Sequence, residues 1–283
     1  MASFTNFATL SYNGGTTNSN IVTGEILEAL TAVKTAVSAN YSAGDRITYA
    51  LSLVNTGTAA ITDYTVTDNL GGYTVGANTV YPLAYNAGTV RYYINGVLQT
   101  APTVTAGPPL TVTGLTVPAG GSAVLIYETT ATPVAPLATG SSITNTATIT
   151  GGGLTTPITA QATVETANSA VLTISKALSP TTVTENGQIT YTFVISNTGN
   201  TEATATGNVV VTDTFAPILR NIAVTYNGTA WTEGTNYTYN AATGVFTTLA
   251  GQITVPAATF TQNTDGTFTV TPGTATLVIT GTV

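Results

Sequence analysis

The chain has 283 residues, only 6% of them charged, with two lysines, three arginines, twelve acids and neither cysteine nor histidine. These counts exclude disulfides, Cys/His metal centres, thiol nucleophiles and imidazole bases, and five scattered cations cannot neutralise a nucleic-acid backbone. Instead, 43% hydrophobic residues, more than one threonine in five and frequent Gly and Pro predict an all-β chain with buried cores.

In chain order, the N-terminus Met1-Ala2-Ser3-Phe4-Thr5-Asn6 lacks the basic start and apolar stretch of a secretory signal. The expectation is that a signal was removed or that export proceeds without one. No run approaches the ~18 apolar residues of a membrane helix. Leu30 to Lys34 open a strand. Ile47, Tyr49, Leu51 and Leu53 share one face of the next, and Asn55-Thr56-Gly57 makes a turn. Tyr64, Val66 and Asp68 share a face further on. Ser142 to Ile149 and Ile158 to Val164 read as the last two strands before a polar linker near Thr166 to Ser169.

The sequence then repeats. Lys34 to Gly57 and Lys176 to Gly199 align without a gap, carrying Ile47-Thr48-Tyr49 onto Ile189-Thr190-Tyr191 and Asn55-Thr56-Gly57 onto Asn197-Thr198-Gly199. Val66-Thr67-Asp68 recurs as Val211-Thr212-Asp213. Six to eight short strands per ~140 residues predict two tandem immunoglobulin-like β-sandwich domains, at 26–166 and 167–283. A barrel is the less favoured closure of the same strands.

The second repeat ends at Val283, before any counterpart of the last two strands. Such a sandwich exposes an apolar groove and unpaired edges. The N-terminal residues 1–25 resemble those strands: Phe4 to Ser11 aligns with Ile143 to Thr150, and Gly14, Thr16 and Thr17 fall on Gly153, Thr155 and Thr156. The extension runs directly into the first domain, so closure in trans is the simpler geometry. Donor residues Phe4, Asn6, Ala8 and Leu10 of one subunit would complete the second domain of the next. The expected partner is the protein itself, head to tail in an open homopolymer, with related filament or tip subunits as further partners and neither nucleic acid nor membrane.

Strand parity turns three polar residues inward in each domain: Lys34, Asp68 and Asn145, and Lys176, Asp213 and the neighbour's Asn6. Isolated buried charges are costly, so these groups should meet. Two outcomes fit. One is a buried Lys–Asp ion pair with Asn as hydrogen-bond partner. The other is a Lys–Asn isopeptide bond formed with loss of ammonia beside the acid, which needs no cofactor, metal or histidine.

The ordered motifs (an early Lys, Gly44 to Tyr49, Asn55 to Gly57, Val66 to Asp68, Pro118 to Gly120, Ile143 to Thr148) resemble the bacterial conserved-repeat domain of unknown function numbered eleven. Asn186-Gly187-Gln188 replaces Gly-Asp-Arg in the second repeat, whose last motif survives only as Phe4 to Thr9. The resemblance implies a tandem surface module located on the spore or cell surface. A two-repeat chain without a signal is similar to clostridial spore-appendage filament subunits. The crosslink resembles that of pilin and adhesin domains.

Two other functions compete with a fibre. A cell-surface adhesin or carbohydrate-binding stalk would use Tyr81, Tyr85, Tyr92, Tyr93, Trp231, Tyr237 and Tyr239 as stacking surface. A hydrolase with paired carboxylates finds no supporting motif, and the chain reads as a non-enzyme.

Overall fold

The computed structural model describes residues 2–26 and 29–283. The boundary expected after residue 25 falls inside the strand Val22–Ile26, just before residues 27–28, which lie outside the described residues. The chain is all-β, as its composition predicts. Its one short helical turn is Ala205–Gly207 among the described residues, and no helix there is long and apolar enough to cross a membrane.

The chain divides into two compact units. The first comprises the residues up to Ala135 together with Ser142–Glu165, and the second comprises Pro136–Ser141 and Thr166–Val283. The division therefore differs from a single cut after residue 166. Loop 136–141 belongs with the second unit because Asn200 Nδ2 donates to the Leu137 carbonyl at 3.0 Å, and Thr139 Oγ1 donates to the Asn200 carbonyl at 2.6 Å.

In the first unit two six-stranded sheets face each other. One runs Val97–Leu98, Arg91–Ile94, Ser122–Ala131, Arg46–Asn55, Leu30–Ala36, with Leu83–Tyr85 also on Ser122–Ala131. The other runs Thr103–Thr105, Leu110–Val117, Ile61–Asp68, Ser142–Gly151, Ile158–Thr166, Asn40–Tyr41. Alternation explains the packing. In Ser122–Ala131 every second residue is buried, and Leu51, Tyr64, Leu115, Leu125 and Ile149 fill the interior. Ile61–Asp68 lies inside its sheet, with Leu110 opposite Asp68 on one side and Ala147 on the other.

The second unit repeats the first sheet as Leu172–Ser179, Gln188–Asn197, Gly273–Thr282, Arg220–Tyr226, Thr229–Trp231. Its core gathers Phe193, Ile195, Phe215, Phe246, Leu277 and Ile279. The opposing sheet has three strands, Thr212–Thr214, Val245–Thr248, Tyr237–Asn240. Thr212–Thr214 pairs only with Val245–Thr248 among the described residues, so its other edge is open. The strand opposite is correspondingly bare. Ile174 and Leu178 are 55% and 38% exposed, whereas Leu30 in the first unit is 3% exposed.

Residues 2–26 form a hairpin of their own. Ala2–Asn6 pairs with Val22–Ile26, and Thr9–Tyr12 pairs with Gly15–Asn18. Asn13-Gly14 closes it with both residues at positive φ, as a two-residue turn requires. The hairpin leaves Phe4, Phe7, Leu10 and Tyr12 exposed.

Candidate functional site

Three strands assemble the first site. Lys34 projects inward from Leu30–Ala36, Asp68 ends Ile61–Asp68, and Asn145 lies on Ser142–Gly151, one same-face step from Ala147 opposite Asp68. All three are buried. The Lys34 ammonium donates to Asp68 Oδ2 at 2.5 Å and sits 4.8 Å from the Tyr49 ring centroid and 5.9 Å from that of Tyr127. The two rings stack at 5.8 Å and make an aromatic floor under the cation. The Tyr127 hydroxyl also donates to Asp68 Oδ2, and Leu70 N–H donates to Oδ1 at 2.9 Å.

Burial pulls the Lys34 ammonium down to about 8, against Asp68, which acts to raise it. Burial, with the adjacent Asp68 carboxylate, drives the Tyr127 and Tyr49 phenols well above their ordinary range. Asn145 lies near enough to both phenols to oppose that rise, but neither of its amide atoms makes a hydrogen bond of normal geometry. The Tyr49 hydroxyl is likewise unsatisfied. Buried amide atoms left so cost about 1–3 kcal/mol each. The first unit thus presents a partly desolvated amine, an acid on it, and an unsatisfied carboxamide in one buried cluster.

The second unit holds the same pair in the open. Lys176 Nζ lies 2.5 Å from Asp213 Oδ2 and 4.5 Å from the Tyr191 ring centroid, with Phe193 and Phe215 flanking it. Its side chains are 40% and 19% exposed, against 0% and 1% for Lys34 and Asp68. The difference follows from the open edge, because Asp213 lies on the strand that lacks a second neighbour. Ile279 stands opposite Tyr191, at the register position that Tyr127 holds opposite Tyr49.

Asn6, assigned by sequence to this second site, is an exposed residue of the N-terminal hairpin, as are Phe4, Ala8 and Leu10.

The aromatic set proposed as a sugar platform is split between the units. Tyr92 and Tyr237 are buried, the Tyr92 hydroxyl bonds the Thr116 backbone, and Trp231 stacks on Tyr226 at 4.8 Å. Tyr92, Tyr237 and Trp231 thus take packing roles, while Tyr81, Tyr85, Tyr93 and Tyr239 are partly exposed.

Sequence reasoning missed two features. It read Asn55 and Asn197 as turn residues, yet both are buried staples. Asn55 Nδ2 donates to the Ala59, Val117 and Pro118 carbonyls, and Asn197 Nδ2 to those of Thr201 and Pro256. It also missed the Tyr127 hydroxyl. Their recurrence in the repeat was the available signal for the asparagines; Tyr127 has no counterpart to reveal it.

No protein-family model matches the chain, and no curated protein matches it in sequence. The resemblance to the conserved-repeat domain therefore stands on the quoted motifs alone. Solved structures similar to it include three bacterial surface proteins. The N-terminal domain of the Streptococcus gordonii adhesin Sgo0707 shares 15% identity at a TM-score of 0.35, over 47% of this chain and 31% of that one. BcpA, the major pilin subunit of Bacillus cereus, shares 15% at 0.35, over 96% and 73%. The pilus backbone RrgB from Streptococcus pneumoniae shares 14% at 0.36, over 86% and 55%. The chain thus spans about a third of the first and about half of the third.

Proposed function

We propose that this protein is a structural subunit of an extracellular bacterial filament on a spore or cell surface. Copies join head to tail, the 2–26 hairpin of one completing the second unit of the next. The observation that carries this reading is the contrast between two equivalent Lys–Asp pairs. One is sealed beneath the strands Ser142–Gly151 and Ile158–Thr166. The other is half exposed beside an open strand edge. A hairpin whose sequence resembles the sealing strands stands elsewhere in the same chain with its apolar residues uncovered. An unpaired edge and an exposed apolar hairpin are both aggregation liabilities, and strand addition relieves them together.

Each completed unit then forms an isopeptide bond. The Lys34 ammonium passes a proton to the Asp68 carboxylate. Neutral Nζ attacks Cγ of Asn145, a C–N bond forms and the Cγ–Nδ2 bond breaks. Of the three ammonium protons, one stays on the new amide, one leaves with the ammonia and one remains on Asp68. In the second unit Lys176 and Asp213 act in the same way on the incoming Asn6, so that bond joins subunits.

The test is boiling in detergent followed by intact mass. Wild-type fibres should give a ladder whose members are lighter by one ammonia per bond, and Lys176→Ala should give monomers. Wild-type fibres that fall to full-mass monomers on boiling would refute the covalent part. Fibres that persist after deletion of residues 2–26 would refute the strand donation.

A further inference from the structure

The two lysine sites differ in one hydrogen bond. Asp68 Oδ2 takes protons from both Lys34 Nζ and the Tyr127 hydroxyl, while Oδ1 takes the Leu70 N–H. Asp213 Oδ2 takes only that of Lys176, and its Oδ1 the Thr214 N–H at 2.9 Å. The residue across from Tyr191 is Ile279, which has no hydroxyl. The second pair is also more exposed, but the aromatic floor corresponds: a ring from Tyr49 or Tyr191 lies under each ammonium. The titratable groups facing Asp68 are Lys34, Tyr49 and Tyr127, all from the opposing sheet.

A carboxylate whose Oδ2 accepts only from a lysine holds that oxygen less firmly than one whose Oδ2 also accepts from a fixed hydroxyl, even with Oδ1 tied to a backbone N–H. The Tyr127 ring is itself fixed, fully buried and stacked on Tyr49. Its hydroxyl therefore pins Oδ2 at the point where the ammonium must hand over its proton. We infer that Tyr127 is a positioning residue for crosslinking in the first unit, and that its replacement by Ile279 leaves the second unit with a slower site. The first bond closes within one chain soon after folding, whereas the second lacks that hydroxyl and waits for an incoming hairpin. This inference rests on the isopeptide reading above.

The test is a time course of full-length protein made by cell-free synthesis. The Lys34–Asn145 bond is read as the ammonia-deficient peptide pair over a series of pH values. Tyr127→Phe keeps the ring and removes the hydroxyl. It should slow the bond roughly tenfold, at the low end of what a positioned proton-transfer group contributes. Ile279→Tyr, the reciprocal change, should speed the detergent-resistant ladder between copies. An unchanged rate in Tyr127→Phe overturns the inference. So does an Ile279→Tyr ladder that forms no faster than wild type, because a merely structural role of Tyr127 would not transfer with the hydroxyl. If wild type forms no bond at any pH, the isopeptide reading fails and takes this inference with it.

Discussion

A buried lysine is a sensitive reporter of its own chemical state. In the free ammonium form, burial brings Lys34 from 10.5 to about 8. Between about pH 8 and pH 10 the unfolded lysine then holds a proton that the folded one has released. Stability should therefore rise with pH across that window in Asn145→Ala, which keeps the amine free. Above pH 10 the raised phenols of Tyr49 and Tyr127 act in the opposite sense. If the amide forms, wild type has no Lys34 amine to titrate and the urea midpoint of its first unit should stay flat over the same window. Equal slopes in the two proteins would show that Lys34 remains an amine. A second residue-scale prediction concerns Asn55. Its truncation removes the side-chain donor from the Ala59, Val117 and Pro118 carbonyls behind a fully buried position, although Pro118 still accepts from the Gly121 N–H. Asn55→Ala should cost the first unit about 3 kcal/mol by urea denaturation, given about 1–3 kcal/mol per unsatisfied buried group. A loss under about 1 kcal/mol would show water replacing the side chain.

At the scale of elements, what was legible depended on periodicity. Alternation turned Lys34, Asp68 and Asn145 inward, and the structure buries all three. The absent I-T-N-T-A-T motif anticipated a deficit in the second unit, where Thr212–Thr214 has one open edge among the described residues. What no pattern could carry was the contact across two sheets. The reach of Tyr127 to Asp68 depends on how the sheets face, and the Asn55 staple depends on where the Val117 and Pro118 carbonyls arrive. Loop 136–141 joins the second unit for the same reason, through Asn200. The element with most to test is the hairpin. Phe4 and Leu10 are more than half exposed, so a charge at either costs the isolated hairpin little. Phe4→Asp should leave the circular dichroism and melting of the monomer unchanged while abolishing fibres seen by electron microscopy. Normal fibres from Phe4→Asp would show that this face does not enter the acceptor.

On the proposed strand donation each copy carries one donor and one acceptor, and such a heterologous contact extends without closing. That asymmetry makes a particular prediction about chain termination. A copy lacking residues 2–26 keeps the acceptor of the second unit but has nothing to donate. It can therefore occupy only one end of a fibre, and each such copy ends one chain. Mixed with wild type before assembly, it should shorten fibres in proportion to its share. An equal mixture should give a mean length of about two copies, since every truncated copy terminates a separate chain. The measurement is mass photometry of the mixtures, with the boiled ladder reporting the covalent fraction. An isologous or lateral assembly behaves differently: truncated copies would be excluded, leaving fibre length set by wild type alone. Length that does not respond to the truncated copy would therefore overturn head-to-tail donation. A fibre that shortens yet gives no boiled ladder would retain the donation and discard the intersubunit bond.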